Sequence, residues 1–215
     1  MKSFLNTIRC EAKSISVSRQ VIDTIAILVL GIALGTFSKF LDNTAGNDLP
    51  YLFEYLDIRN FLGRFAIWVL IATCISIYSN SSIRASINVF IFFAGMVTTY
   101  YLYSKFVAGF FPKSYAMIWV GFTAISPMLA FICWYAKGKS RLSFTLSTMI
   151  IAVLFNMTFV YGWSYCEMRS ILDLIVFIIG CVVLKRNTIK DSIIMIAIGI
   201  ALAFVLDLLV PFHFG

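Results

Sequence analysis

Five polar side chains interrupt otherwise apolar stretches of this 215-residue sequence: Lys39, Arg64, Asn156, Asp173 and Asp207. A charge or an amide inside a hydrocarbon-like run is costly to bury, so each is by default a candidate for binding or charge pairing. Two bases and two acids among them offer two ion pairs, or the lining of one cavity. Lys39 and Arg64 also have a simpler reading, because long stems let their heads reach an interface. Asp207 stands close to the end of its run. Asp173, Asn156 and Arg64 are therefore the first choices as substrate-binding residues. Asp23, beside Arg19, reads as a helix-start residue at a positive dipole end.

Catalytic chemistry finds little support. There is no Walker A glycine loop for nucleotide hydrolysis, no GxSG motif and no HExxH. The apolar runs hold no aspartate cluster of the kind lipid-processing transferases use. The last run has Asp207 and no lysine, so it offers no Schiff base to retinal. His213 is the only histidine, and Cys10, Cys74, Cys133, Cys166 and Cys181 form no CxxC pair. The reading is a non-enzymatic chain with no metal site, no cofactor and no disulfide framework.

The elements that must position those residues follow from composition. The chain is 61% hydrophobic and 13% charged, against roughly half and a quarter for soluble domains. A bilayer-crossing helix needs about 20 mainly apolar residues. Seven runs fit: 21–41, 61–78, 85–106, 114–136, 142–163, 170–184 and 192–210. The fold class expected is an all-α, polytopic transmembrane bundle. The sixth run is short, and a re-entrant sixth segment leaves a six-span alternative.

Net charge is +7, yet the cations sit in gaps between runs, which argues for topology and against nucleic acid. Lys2, Arg9, Lys13 and Arg19, then Arg84, then Lys137, Lys139 and Arg141, then Lys185, Arg186 and Lys190 all fall on one side of seven crossings. Asp42, Asp48, Glu54, Asp57 and Glu167 fall on the other. The N-terminus is then cytoplasmic, the C-terminus is outside, and the five intramembrane polar residues lie in the outer half of a multi-pass cell-membrane protein. Residues 1–19 read as an amphipathic basic segment on the inner leaflet rather than a cleavable signal. Residues 20–215 form one transmembrane domain with an external loop at 42–60, whose apolar stretch Tyr51–Leu56 could fold over the bundle. No internal repeat is legible.

Three further features carry an expectation. Gly31 and Gly35 form a GxxxG spacing that suits either a partner subunit or packing inside the bundle. Pro127, preceded by Ser126, should bend its helix. Tyr100, Tyr101 and Tyr103, with Trp163 and Tyr165, read as an interfacial aromatic belt or as walls for an organic ligand.

The run Leu30-Gly31-Ile32-Ala33-Leu34-Gly35 leading to Ser38–Asp42, then Ala66–Val69, then Gly95-Met96 with Tyr100-Tyr101, resembles an uncharacterised family of bacterial multi-pass membrane proteins, which brings no activity with it. More distantly, the size and small-residue first helix are similar to substrate-binding subunits of energy-coupling-factor vitamin transporters. That similarity implies an unknown small-molecule ligand near the outer face and partner subunits including an ATPase, although that family usually has six spans. Two functions are expected: a small-solute binder or permease with a polar site in the outer half, or a non-enzymatic anchor or regulator within a larger complex.

Overall fold

The fold is seen in a computed structural model that describes residues 2–11, 15–162 and 164–209. His213, Val210 and Trp163 lie outside the described residues. The chain is nearly all helix: α1 (Lys2–Ile8), α2 (Val17–Asn43), α3 (Tyr51–Tyr55), α4 (Ile58–Gly63), α5 (Phe65–Tyr78), α6 (Ser82–Phe106), α7 (Lys113–Trp134), α8 (Arg141–Thr158), α9 (Ile171–Leu184) and α10 (Ile189–Leu209). A short antiparallel hairpin, β1 (Phe159–Tyr161) and β2 (Cys166–Met168), joins α8 to α9. Five helices (α2, α6, α7, α8 and α10) are long and apolar enough to cross a membrane. Their outward faces are apolar, with Val21, Ile25, Val29, Val120, Leu129 and Ile198 all exposed, the inverse of a soluble surface.

Hydroxyl caps set where many of these helices begin. Ser16, Ser81, Ser140, Ser170 and Thr188 each accept a hydrogen bond from the backbone N–H three residues on, satisfying one of the orphan donors of a first turn. Cations meet the opposite helix ends. The Arg9 guanidinium donates to the carbonyls of Trp134 and Ile77, at 2.5 and 2.9 Å, and lies 4.2 Å from the centre of the Trp134 ring. Lys137 donates to the Val183 and Lys185 carbonyls, and Arg186 to Ala136. These residues close the C-terminal ends of α5, α7 and α9, where the helix dipole is negative. Burial lowers the affinity of Arg9 and Arg186 for their protons from the usual arginine value. Within segment 1–19, Ile8 is buried against Ala85, Trp134 and Tyr135, and α2 begins at Val17.

Six of the helices form two groups of three, here called units. In the first, α2 and α6 run parallel and touch closely, with α5 returning between their ends. A Cβ on Gly31 would strike the Phe92 carbonyl, and one on Gly35 the Met96 carbonyl. In the second, α8 and α10 run parallel and α9 returns. There Gly199 meets Ile151 and the Thr148 carbonyl, and Asn156 donates to the Ala203 carbonyl at 3.2 Å. The returning helices α5 and α9 have 14 residues each and begin and end at one spacing, 106 residues, the separation at which Arg64 meets Ser170. The two groups are not copies of one another: α6 packs on both α2 and α5 in the first, whereas in the second it is α8 that packs on both α9 and α10. Helix α7 stands between the units in the chain and packs on α5 and α6.

The corrections concern boundaries. The run 61–78 is broken at Arg64, whose backbone is extended (φ −87°, ψ 159°) between α4 and α5. The run 142–163 ends as helix at Thr158 and turns into β1. The loop 42–60 is largely folded: Leu49, Phe53 and Ile58 pack on the core, and Asp57, at φ 50°, turns the chain between α3 and α4. Gly31 and Gly35, proposed for a partner subunit, are filled by α6 of the same chain. Pro127 removes the N–H that would reach the Thr123 carbonyl, and the Ser126 hydroxyl donates to that carbonyl at 2.9 Å instead.

Candidate functional site

The five residues singled out above fall into three separate groups at the end of the bundle where α5 and α9 begin. Arg64 and Asp173 form the first. The Arg64 guanidinium lies 3.0 Å from Asp173 Oδ2 and donates to Ser170 Oγ at 3.1 Å. Ser170 Oγ donates in turn to Asp173 Oδ2 at 2.8 Å and accepts from the Asp173 backbone N–H at 3.1 Å. Ser170 thus caps α9, and its hydroxyl also holds the Asp173 carboxylate in the first turn, where the helix dipole favours an acid. The cap does not exhaust the group. Asp173 is fully buried, and its Oδ1 and the Arg64 Nε have no hydrogen-bond partner among the described residues. Arg169 adds a second cation within electrostatic reach. The Thr158 hydroxyl, at the end of α8, donates to the Asp173 carbonyl at 3.1 Å, so α5, α8 and α9 all converge here.

Asn156 belongs to a second group. Its amide donates to the Ala203 carbonyl, and its Oδ1 accepts from the Tyr161 hydroxyl at 2.7 Å. Asp207, one turn beyond Ala203, acts electrostatically on Tyr161, whose phenol is pushed up to about 12, mainly by burial. This group ties α8 to α10 and the hairpin; it does not face Asp173.

Lys39 anchors the third group, and its partner is Asp42, not Asp207. Its side chain is buried, and the ammonium sits 3.2 Å from Asp42 Oδ2, 5.1 Å from the centre of the Tyr100 ring and 4.8 Å from that of Phe110. Tyr100 donates to the same Asp42 oxygen at 2.5 Å. Beside this group is a chamber of about 250 Å³, walled by Trp68, Tyr100, Tyr101, Tyr115 and Trp119, with Asp42 in its lining and Leu62-Gly63 of the broken helix over it. Tyr100 and Tyr101 stand out in the sequence as aromatic walls for an organic ligand, and the structure adds Tyr115, Trp68 and Trp119 from two other helices. Tyr103 and Tyr165 are not part of it. A larger cleft of about 430 Å³, almost wholly apolar, opens between α7 and α8 over the outer face of α5 and shares Trp68 and Trp119 with the chamber.

At the opposite end the Arg84 guanidinium donates to the Gln20 carbonyl, to Asn88 Oδ1 and to the Thr24 hydroxyl, locking α2 to α6. In the sequence Arg84 speaks only to topology. Among the described residues no group of three or more His, Cys, Asp or Glu is placed to hold a metal. Compared with known protein families, curated proteins and solved structures, the chain matches none.

Proposed function

We propose that this chain is a small-solute transport component of a cell membrane, crossing it seven times with the N-terminus inside and the C-terminus outside. Two groups of three helices meet where α5 and α9 begin, and transporters commonly hold their site between two such groups. In such folds the site lies where helices are discontinuous, because a broken helix exposes polar backbone ends only next to a cavity or a polar partner. Here α5 follows a break at Arg64, α9 starts at Ser170, and their first turns meet. Fourteen residues make a helix of about 21 Å, shorter than the ~30 Å core, so both helices start below the membrane surface.

The observation that carries the reading is the buried Arg64–Asp173 pair at this junction, with a carboxylate oxygen that no described residue satisfies. A solute hydrogen bond there would complete the site, and opening one unit against the other would expose it to either side. The runner-up, a non-enzymatic subunit, loses its sharpest motif because the GxxxG face is filled within the chain.

The test works without naming the solute in advance. Proteoliposomes loaded with a deproteinised cell extract are assayed by mass spectrometry for the compounds that leave. One or a few solutes should leave wild-type vesicles and stay in vesicles bearing Asp173→Asn or Ser170→Ala. Coincident efflux from wild-type, variant and protein-free vesicles would refute the transport reading.

A further inference from the structure

The aromatic chamber beside Lys39 is separate from the Arg64–Asp173 junction, and its chemistry selects for one sign of charge. Five aromatic residues wall a space of about 250 Å³, room for a molecule of about ten heavy atoms and no larger. Aromatic faces carry negative quadrupole potential and attract cations within about 6 Å of a ring centre. The one formally charged residue of the described lining is an acid, Asp42. Its Oδ2 is taken by Lys39 and Tyr100, which leaves Oδ1 for a ligand. Tyr101, 7% exposed, places a hydroxyl here that is buried and has no hydrogen-bond partner among the described residues. A protein that buries a polar group without a partner loses stability unless something else supplies one.

Lys39 shows what these surroundings hold. Its ammonium is already clasped by the same combination, a carboxylate and the faces of Tyr100 and Phe110, yet it does not line the chamber. Entry is from the end of the bundle, where Tyr115 is 63% exposed and Asp42 is also exposed.

We propose that this chamber binds a small organic ammonium ion, with Asp42 as its counter-charge, the Tyr101 hydroxyl as its hydrogen-bond partner and the indole and phenol rings as its walls. Lys39 holds the carboxylate in place through Oδ2 and opposes the ligand on Oδ1 by its like charge, which makes it a competitor for the Asp42 charge. The inference stands apart from the transport reading, since binding here does not require that the solute cross.

The full chain in nanodiscs is titrated with 2-phenylethylammonium, 2-phenylethanol and phenylacetate, which share a body and differ in charge. Tryptophan fluorescence and calorimetry report binding, and empty nanodiscs correct for partition into lipid. Saturable binding of the ammonium is expected, on the order of tenfold tighter than the alcohol, with no binding of the carboxylate. Asp42→Asn should abolish the preference for the cation, Tyr101→Phe should weaken it about fivefold, and Lys39→Met should tighten it by removing the competitor. Asp173→Asn should leave all three titrations unchanged, so failure here and failure of the transport reading are told apart. Equal affinity for ammonium and alcohol, or a cation preference that survives Asp42→Asn, would overturn the proposal. Should Asp42→Asn not fold, Tyr101→Phe and Lys39→Met decide alone, and no change in either would also overturn it.

Discussion

At the scale of single residues, charge burial dominates. Arg64 and Asp173 are costly apart and tolerable together, because the mostly buried guanidinium supplies the counter-charge of a carboxylate that is buried completely. Removing one partner strands the other. Asp173→Leu alone should lower stability by about 3 kcal/mol, whereas Arg64→Met with Asp173→Leu should recover most of the loss. Thermal unfolding of the four proteins in one detergent measures this. If the double variant is no better than the single one, the pair is not the interaction that matters. Tyr161 offers a pH-dependent check. Its phenol, held near 12 by burial, donates to Asn156. A phenol with a raised folded value contributes its full stability below the ordinary value near 10 and loses it as pH climbs through 12. Wild type should therefore lose stability over that window, and Tyr161→Phe should lose less.

Between helices, backbone contact is the decisive term. At Gly31 and Gly35 the α2 backbone is within touching distance of the Phe92 and Met96 carbonyls, so there is no soft side chain to yield. Gly35→Leu is expected to separate α2 from α6 and to reduce the yield of folded monomer, not to release a partner. Size-exclusion chromatography of wild type and variant distinguishes these, and a well-folded Gly35→Leu monomer would contradict the packing. The helix ends at Ile77 and Trp134 depend on Arg9, which closes α5 and α7 at once. Arg9→Ala should cost about 1–2 kcal/mol, and Arg9→Lys should recover only part, since an ammonium cannot span both carbonyls with the same fork. Loss of stability equal in both variants would show that the planar fork is immaterial.

For the molecule as a whole, the two units make a prediction that neither would alone. The link 107–112 joins α6 to α7, with Gly109 at φ 74° and no described residue near its Cβ position. A chain cut there leaves each unit with its own parallel helix pair intact. Fragments 1–109 and 110–215, expressed together, should co-purify through the α5–α9 and α6–α7 contacts. Failure to associate, with each fragment soluble in detergent, would show that the units are not independent packing entities.

What the sequence determined by itself is what local chemistry and hydropathy determine. Apolar run length places the long helices to within a few residues, because a helix satisfies its own backbone wherever it lies. The polar candidates were visible because polarity is rare in such runs. Their partners were not visible. Hydropathy gives a depth along a helix but no rotation about it, so Arg64 with Asp173, Lys39 with Asp42 and Asn156 with Tyr161 were decided only when helices distant in the chain were laid side by side. The break at Arg64 was hidden for a related reason: Gly63 is a poor helix former, but apolar residues continue on both sides of it, and the extended backbone at Arg64 goes with a tertiary contact to Ser170. The chamber, built from α2, α4, α5, α6 and α7, is a property of the assembled bundle, and no single helix encodes it.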